Sequence, residues 1–308
     1  MAFKKTPQKQ KSEPKPFKID AEPGAAFNWF PGHMLKAMRE IKSKLAMVDL
    51  VIEIRDARVP LVSGNRALNE AIGGKSRLIL LNKANLADPE MITKWSAWFE
   101  KQGDPFLFIN CLDKSSMKQV LTLSRRIIED KRRACNPERT EAKQDCKLMI
   151  VGLPNTGKST LINQLANRNA TKIANKPGQT RVQLWVKVDE DLSLLDTPGV
   201  MPPQIENVDH RIWLSTINAI PDEIVGEEDP AWFLVNYFMK KKSPEFKERY
   251  KLESFDLTLD ETLMRIATVR GCLKQKGLPD LERVYKLILM DFRDGELGKA
   301  CFGHPPLL

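Results

Sequence analysis

The sequence predicts an α/β fold, a mainly parallel sheet with helices on both faces, followed by a small all-helical domain. Three observations carry this reading. Short apolar runs rich in Val, Ile and Leu alternate with helix-length stretches, as βαβ units require. A Gly-rich loop, Gly152 to Ser159, joins one such run to one such stretch. Beyond Met201-Pro202-Pro203 the apolar runs end, and Pro230 to Asp294 reads as helices separated by Ser243-Pro244 and Gly277-Leu278-Pro279.

Taken in order, residues 1–26 carry six lysines among Pro, Gln and Ser with almost no large apolar side chains, so they read as a disordered basic arm. From Phe27 the predicted strands are Asp49 to Ile54, Arg77 to Leu81, Phe106 to Asn110, Lys147 to Val151, Val182 to Val188 and Leu192 to Leu195. Helices are expected near Met34 to Met47, Pro89 to Lys101, Met117 to Arg133 and Lys158 to Ala166. The sheet domain is assigned to residues 27–221 and the helical domain to 222–308. No internal repeat is present.

A length of 308 residues suits two domains, and an excess of 49 Lys and Arg over 40 Asp and Glu favours a polyanionic partner. No apolar run approaches the roughly 18 residues of a membrane span, and the opening MAFKKTPQKQ lacks a signal-peptide core. Glu13, Asp20 and Glu22, with no arginine nearby, argue against a mitochondrial leader. Five cysteines stand singly, unsuited to zinc or a disulfide framework. The expectation is a cytoplasmic protein with no membrane span and no DNA partner.

Gly152-Leu-Pro-Asn-Thr-Gly157-Lys158-Ser159 matches the P-loop pattern G-x-x-x-x-G-K-[ST] between a strand and a helix. In such a loop backbone amides wrap phosphate oxygens, Lys158 neutralises the β and γ phosphates, and Ser159 offers its hydroxyl to Mg2+. Downstream, Asp196-Thr-Pro-Gly199 follows an apolar strand. Asp196 would hold the Mg2+ through water and the Gly199 amide would sense the γ-phosphate. Between them Pro177-Gly-Gln-Thr180 offers Thr180 for the metal and the attacking water. Upstream, Asn82-Lys83-Ala84-Asn85 ends another strand and resembles the guanine-recognition motif N-K-x-D, with Asn82 bracing the loop and Lys83 lying over the ring. Asn85 departs from that motif. A carboxylate accepts both guanine N1–H and the 2-amino group, whereas an amide offers one acceptor and one donor, so guanine preference is expected but weakened, with a base carrying a carbonyl at that edge, such as xanthine, as the alternative that could fit better. Asn110, Cys111, Asn155, Thr156, Gly157 and Thr160 complete the predicted nucleotide contacts.

Ordinary GTPases run P-loop, switch Thr, D-x-x-G, N-K-x-D; here N-K-A-N comes first, an order that resembles the circularly permuted GTPases. Phe27-Asn-Trp-Phe-Pro-Gly-His33-Met34, Asp56-Ala-Arg58-x-Pro60 and Arg270-Gly271-Cys272-Leu273 narrow the resemblance to the ribosome biogenesis GTPase A family (RbgA, also called YlqF), over about residues 27–300. What it implies is a GTP-hydrolysing switch that binds the maturing large ribosomal subunit and its rRNA, is released on hydrolysis to GDP, and is stimulated by the particle. Two other readings stay open. One is a permuted GTPase of the small subunit, although no N-terminal barrel or zinc cluster is present; the other is a nucleotide-dependent RNA-binding protein with negligible hydrolysis.

Val200 stands where Ras-like enzymes orient water with glutamine, and valine cannot do so. Two substitutes are expected. Asn155 matches G-x-x-N-x-G-K-S, the pattern of GTPases stimulated by K+. His33 matches the histidine proposed as catalytic in the family, the alternative being a packing histidine at a helix start. His210 and His304 have no motif and read as surface residues. In the helical domain Arg265, Arg270, Lys274, Lys276, Arg283, Lys286 and Arg293 interleave with apolar residues, a basic face that the resemblance assigns to rRNA and that charge alone leaves as a solvated surface.

Overall fold

The computed structural model describes residues 32–137, 145–166, 185–195, 197, 199–201, 205 and 207–307, apart from the side chains of 32–34 and 66. The N-terminal arm and the Pro177–Thr180 segment lie outside the described residues.

Six strands form one sheet in the order β3-β2-β1-β4-β6-β5. They are β1 (Leu50–Asp56), β2 (Ser76–Asn82), β3 (Phe106–Phe108), β4 (Cys146–Gly152), β5 (Trp185–Asp189) and β6 (Leu192–Leu195). All neighbours are parallel except the β5–β6 pair. β1 therefore lies between β2 and β4, so the loops after β2, β3 and β4 leave from one edge of the sheet. This is a circularly permuted arrangement, since the N-K-A-N loop precedes the P-loop in the chain yet lies on the neighbouring side of the same edge.

The sheet is covered by α1 (Gly32–Lys44), α2 (Arg66–Ile72), α3 (Pro89–Gln102), α4 (Lys114–Cys135) and α5 (Lys158–Ala166). Alternation along the strands decides the faces. Leu50, Ile52 and Ile54 of β1 point with Leu78, Leu80, Leu148 and Ile150 toward α4 and α5. On the opposite face Ile79 and Leu81 meet Trp95 and Phe99 of α3, while Val51, Met149 and Val151 meet Ala37 and Ile41 of α1. Helix starts follow cap chemistry. α4 begins before its apolar periodicity does because the Asp113 carboxylate accepts from the Ser116 amide at 2.8 Å. α2, which no apolar pattern announces, is capped by Asn65, whose side chain accepts from Leu68 N at 3.2 Å.

The remaining helices are α6 (Val208–Thr216), α7 (Asp222–Val225), α8 (Glu228–Lys241), α9 (Pro244–Arg249), α10 (Leu259–Val269) and α11 (Leu281–Asp294). α8 packs on α6 and α11, so α6 joins this bundle although it precedes residue 222. An aromatic cluster fills the centre, with Phe238 and Phe246 stacked at 5.7 Å and Phe246 and Tyr250 edge to face at 5.1 Å. Val51, Met149 and Ile41 belong to the same apolar core as Phe238, Phe246 and Phe292, so the bundle's interior is continuous with one face of the sheet. The chain after α11 returns to the sheet edge, where Phe302 N donates to the Arg58 carbonyl at 2.7 Å.

Candidate nucleotide site

A cavity opens at the edge where β2, β3 and β4 end, bounded by Asn82, Lys83, Asn85 and Leu86, by Asn110, Cys111 and Leu112, by Asn155, Gly157, Lys158, Ser159 and Thr160, and by Arg293 and Asp294. Three loops far apart in sequence are thus brought together with the end of α11.

Asn82 ties the loops to one another. It is buried, its Nδ2 donates to the Thr156 carbonyl at 2.9 Å, and its Oδ1 accepts from Cys111 N at 3.0 Å. Gly157 has φ 108°, and a Cβ there would collide with the Asn82 amide, so glycine lets the P-loop approach this closely. The Thr156 hydroxyl is turned inward to the Leu153 carbonyl at 2.9 Å, making it a brace of the loop. Asn110 accepts from Leu112 N at 3.0 Å through its side chain, holding the third loop in a turn. Burial pushes the Cys111 thiol up to about 12, against the opposing pull of Lys83, so it stays neutral.

Lys83 adopts φ 60° and ψ 32°, which directs its chain back across the P-loop. Its ammonium donates to the Asn155 carbonyl at 3.1 Å and lies 3.3 Å from Asp56 Oδ2. Burial lowers the Lys83 pKa, and the Asp56 charge works against that. Asp56 is fully buried. Burial pushes its carboxyl up, but the Arg58 guanidinium and then Lys83 overcome this and hold it near 2.

Lys158 opens α5 and donates to the Leu153 carbonyl at 2.7 Å. Gly199 lies against it, since a Cβ on Gly199 would be 3.0 Å from Lys158 Nζ. Val200 is buried and donates its amide to the Gly152 carbonyl at 3.2 Å, while its own carbonyl accepts from Asn65 Nδ2 at 2.9 Å. It is a packing residue. Asn155 takes φ 58° and donates from Nδ2 to the Asn218 carbonyl, 2.6 Å away after α6. Its amide oxygen has no partner among the described residues, and neither has the Ser159 hydroxyl. That free hydroxyl, a hard oxygen donor beside Lys158, fits the Mg2+ a GTPase uses. Thr180 and Asp196, the other two expected ligands, lie outside the described residues, as does the His33 side chain; the His33 backbone is in the first turn of α1.

Two expectations change. Arg293 does not join an outward basic face. Its guanidinium turns into the cavity wall and pairs with Asp222 at 2.6 and 2.8 Å, because α11 ends against the segment linking α6 to α7. His210 is only partly exposed, its ring 5.4 Å from Trp213, and burial lowers its pKa. His304 is exposed, as expected. Arg293 and Asp294 were not among the expected site residues, and no sequence pattern marks them, since their position depends on how the bundle docks.

Comparison with known proteins agrees with this geometry. A 50S ribosome-binding GTPase family model matches residues 147–260, beginning at the P-loop strand and leaving out the N-K-A-N loop, which lies upstream. Ribosome biogenesis GTPase A of Bacillus cereus is 39% identical over 90% of this chain and 93% of its own length. That of Bacillus pumilus is 37% identical over 90% and 98%. The chain belongs to the ribosome biogenesis GTPase A family. A GNP-bound structure of YlqF from T. maritima superposes with a TM-score of 0.60 at 27% identity, covering 88% of this chain and 98% of that one. The ribosome biogenesis GTPase A fold thus accounts for the permuted sheet and the appended helices together, and the chain is a GTPase. Among the described residues no helix is long and apolar enough to cross a membrane.

Proposed function

We propose that this GTPase is a nucleotide switch in assembly of the large ribosomal subunit, holding the subunit precursor in its GTP state and leaving it on hydrolysis. The observation that supports this most is the cavity itself, which the phosphate loop, the N-K-A-N turn and the end of α11 all line. Gly199 lies against Lys158 and against Pro154, the residue before Asn155, and Asn155 is bonded to the segment after α6 at Asn218, so a change in phosphate occupancy there has a short path to the bundle. The names of the relatives, ribosome biogenesis GTPase A, and the description of the matched family, 50S ribosome-binding, support the choice of particle.

In this reading Lys158 and the P-loop amides bind the β and γ phosphates, Ser159 and Asp196 hold Mg2+, and Thr180 and Gly199 respond to the γ-phosphate. Mg2+ supplies charge neutralisation on the phosphates when bound. With Val200 packed away, His33 positions the attacking water and the free oxygen of Asn155 takes a K+ beside the transferred phosphoryl group. Lys274, Lys276, Arg283 and Lys286, all exposed around the start of α11, contact rRNA phosphates in the cytoplasm, with the N-terminal arm adding salt-sensitive contacts.

The test is co-sedimentation of the full chain with large-subunit precursors and with small subunits, loaded with a non-hydrolysable GTP analogue or with GDP. Retention on large-subunit precursors only with the analogue is expected. Retention on small subunits alone, or retention indifferent to the nucleotide, contradicts the reading.

A further inference from the structure

The end of α11 lines the cavity together with the phosphate loop and the N-K-A-N turn, and its last two residues are held very differently. Arg293 is saturated, bonded twice to Asp222 and donating to the carbonyls of Ser215 and Thr216 at 2.9 and 3.0 Å. Asp294 lines the same cavity, is exposed, and its carboxylate has no hydrogen bond or ion pair among the described residues. Nothing about helix stability calls for a carboxylate there. It sits at the negative end of the α11 dipole, where an anion is unfavourable, and the C-cap is Gly295.

Its position against the base-recognition turn is fixed from both sides. Gly295 has φ 85°, and a Cβ there would come within 2.6 Å of Leu86 Cδ2, so glycine allows the helix end to press on the turn. The chain then returns, and Ala300 N donates to the Leu86 carbonyl at 3.1 Å. Leu86 directly follows Asn85, whose amide lacks the second acceptor that guanine's paired N1–H and 2-amino donors require. Lys83 is occupied by Asp56 and the Asn155 carbonyl, and Arg293 by Asp222, so neither cation neutralises Asp294.

We propose that Asp294 is a specificity-determining residue, its carboxylate providing the acceptor for the guanine 2-amino edge that Asn85 leaves unfilled. Guanine is then read jointly by the N-K-A-N turn and the helical bundle, which makes base recognition depend on docking of α11. This rests on the cavity being the nucleotide site.

The experiment is titration of the full chain with fluorescent GTP, ITP and XTP in Mg2+, comparing the unaltered chain with Asp294→Asn, Asn85→Asp, the double variant and Lys158→Ala. ITP lacks the 2-amino group and XTP carries a carbonyl in its place. The unaltered chain is expected to prefer GTP to both. Asp294→Asn should lower the GTP-over-XTP ratio by at least about tenfold and bring GTP and ITP together, with the thermal midpoint unchanged or raised. Adding Asn85→Asp should restore the preference. An unaltered chain that already prefers XTP, a ratio unmoved by Asp294→Asn, or an equal loss for all three nucleotides overturns the proposal. Lys158→Ala separates the two levels. If it leaves GTP binding intact, the nucleotide lies elsewhere and the reading of the cavity falls; if it abolishes binding while Asp294→Asn changes no ratio, only the role of Asp294 falls.

Discussion

The Arg58 guanidinium lies 4.7 Å from the centre of the Phe292 ring and donates to the Phe292 carbonyl at 3.3 Å. The same group grips Asp56 through bonds of 2.8 and 3.0 Å, and Asp56 in turn faces Lys83. A run of charge therefore extends from the N-K-A-N turn, through the loop after β1, to the helix that ends in the cavity wall.

Removing Arg58 breaks that run where it is fully buried. Arg58→Met leaves Asp56 without its main counter-charge, and the unfolding free energy in urea should fall by about 3–5 kcal/mol. Arg126, whose pair with Asp130 is solvent-exposed at 3.7 Å, gives the contrast: Arg126→Met should change stability by under about 0.5 kcal/mol.

Asp56 also makes stability depend on pH in a defined window. Its carboxyl titrates near 2 in the fold against 3.8 when free, so the unfolded chain binds the proton more readily. The contribution is present above pH 3.8 and is lost as pH falls toward 2, amounting to about 2 kcal/mol. Asp56→Asn should flatten the loss of stability between pH 5 and 2 by about that much, read from urea midpoints at each pH. An unchanged slope would mean that other carboxylates carry the acid sensitivity.

Asn82 is expected to matter to binding through the shape of the site. Asn82→Ala frees the Thr156 carbonyl and the Cys111 amide, costing about 1–3 kcal/mol of stability. Affinity for GDP should fall alongside it, because the P-loop and the third loop lose their common anchor. Titration of the variant with fluorescent GDP reads this; wild-type affinity would show that the loops hold without the brace.

Much of this was legible in the sequence, for reasons that differ from element to element. The strands were readable because a buried parallel sheet demands apolar runs, and Leu50–Ile54 and Leu148–Val151 are such runs. The P-loop was readable because phosphate binding imposes glycines at fixed spacing. α2 was not, since seven residues capped by Asn65 carry too little periodicity. Nor were the roles of Arg293 and Asp294. They end α11 and look like any charged helix end, and only the packing of Gly295 on Leu86 brings them to the cavity. Asp56 and Arg58 stand in a readable motif, but the grip of Arg58 on Phe292 is a tertiary fact that no local pattern encodes.

Asn155 makes a cation-specific prediction. With Nδ2 held by Asn218, its free oxygen is available to a monovalent ion, so phosphate release from GTP should be faster in K+ than in Na+ at equal ionic strength. Asn155→Ala should erase the difference. Equal rates in the two salts for the unaltered chain would remove Asn155 from this role.

Phosphate release from GTP in K+ buffer, measured for the protein alone, with purified large subunits and with purified small subunits, separates a large-subunit switch from its alternatives. Slow release alone, clear acceleration by large subunits, no effect of small subunits, and loss of the acceleration in His33→Ala with GTP binding retained are expected. Acceleration by small subunits only, or the same slow release in all three mixtures, would contradict the large-subunit switch.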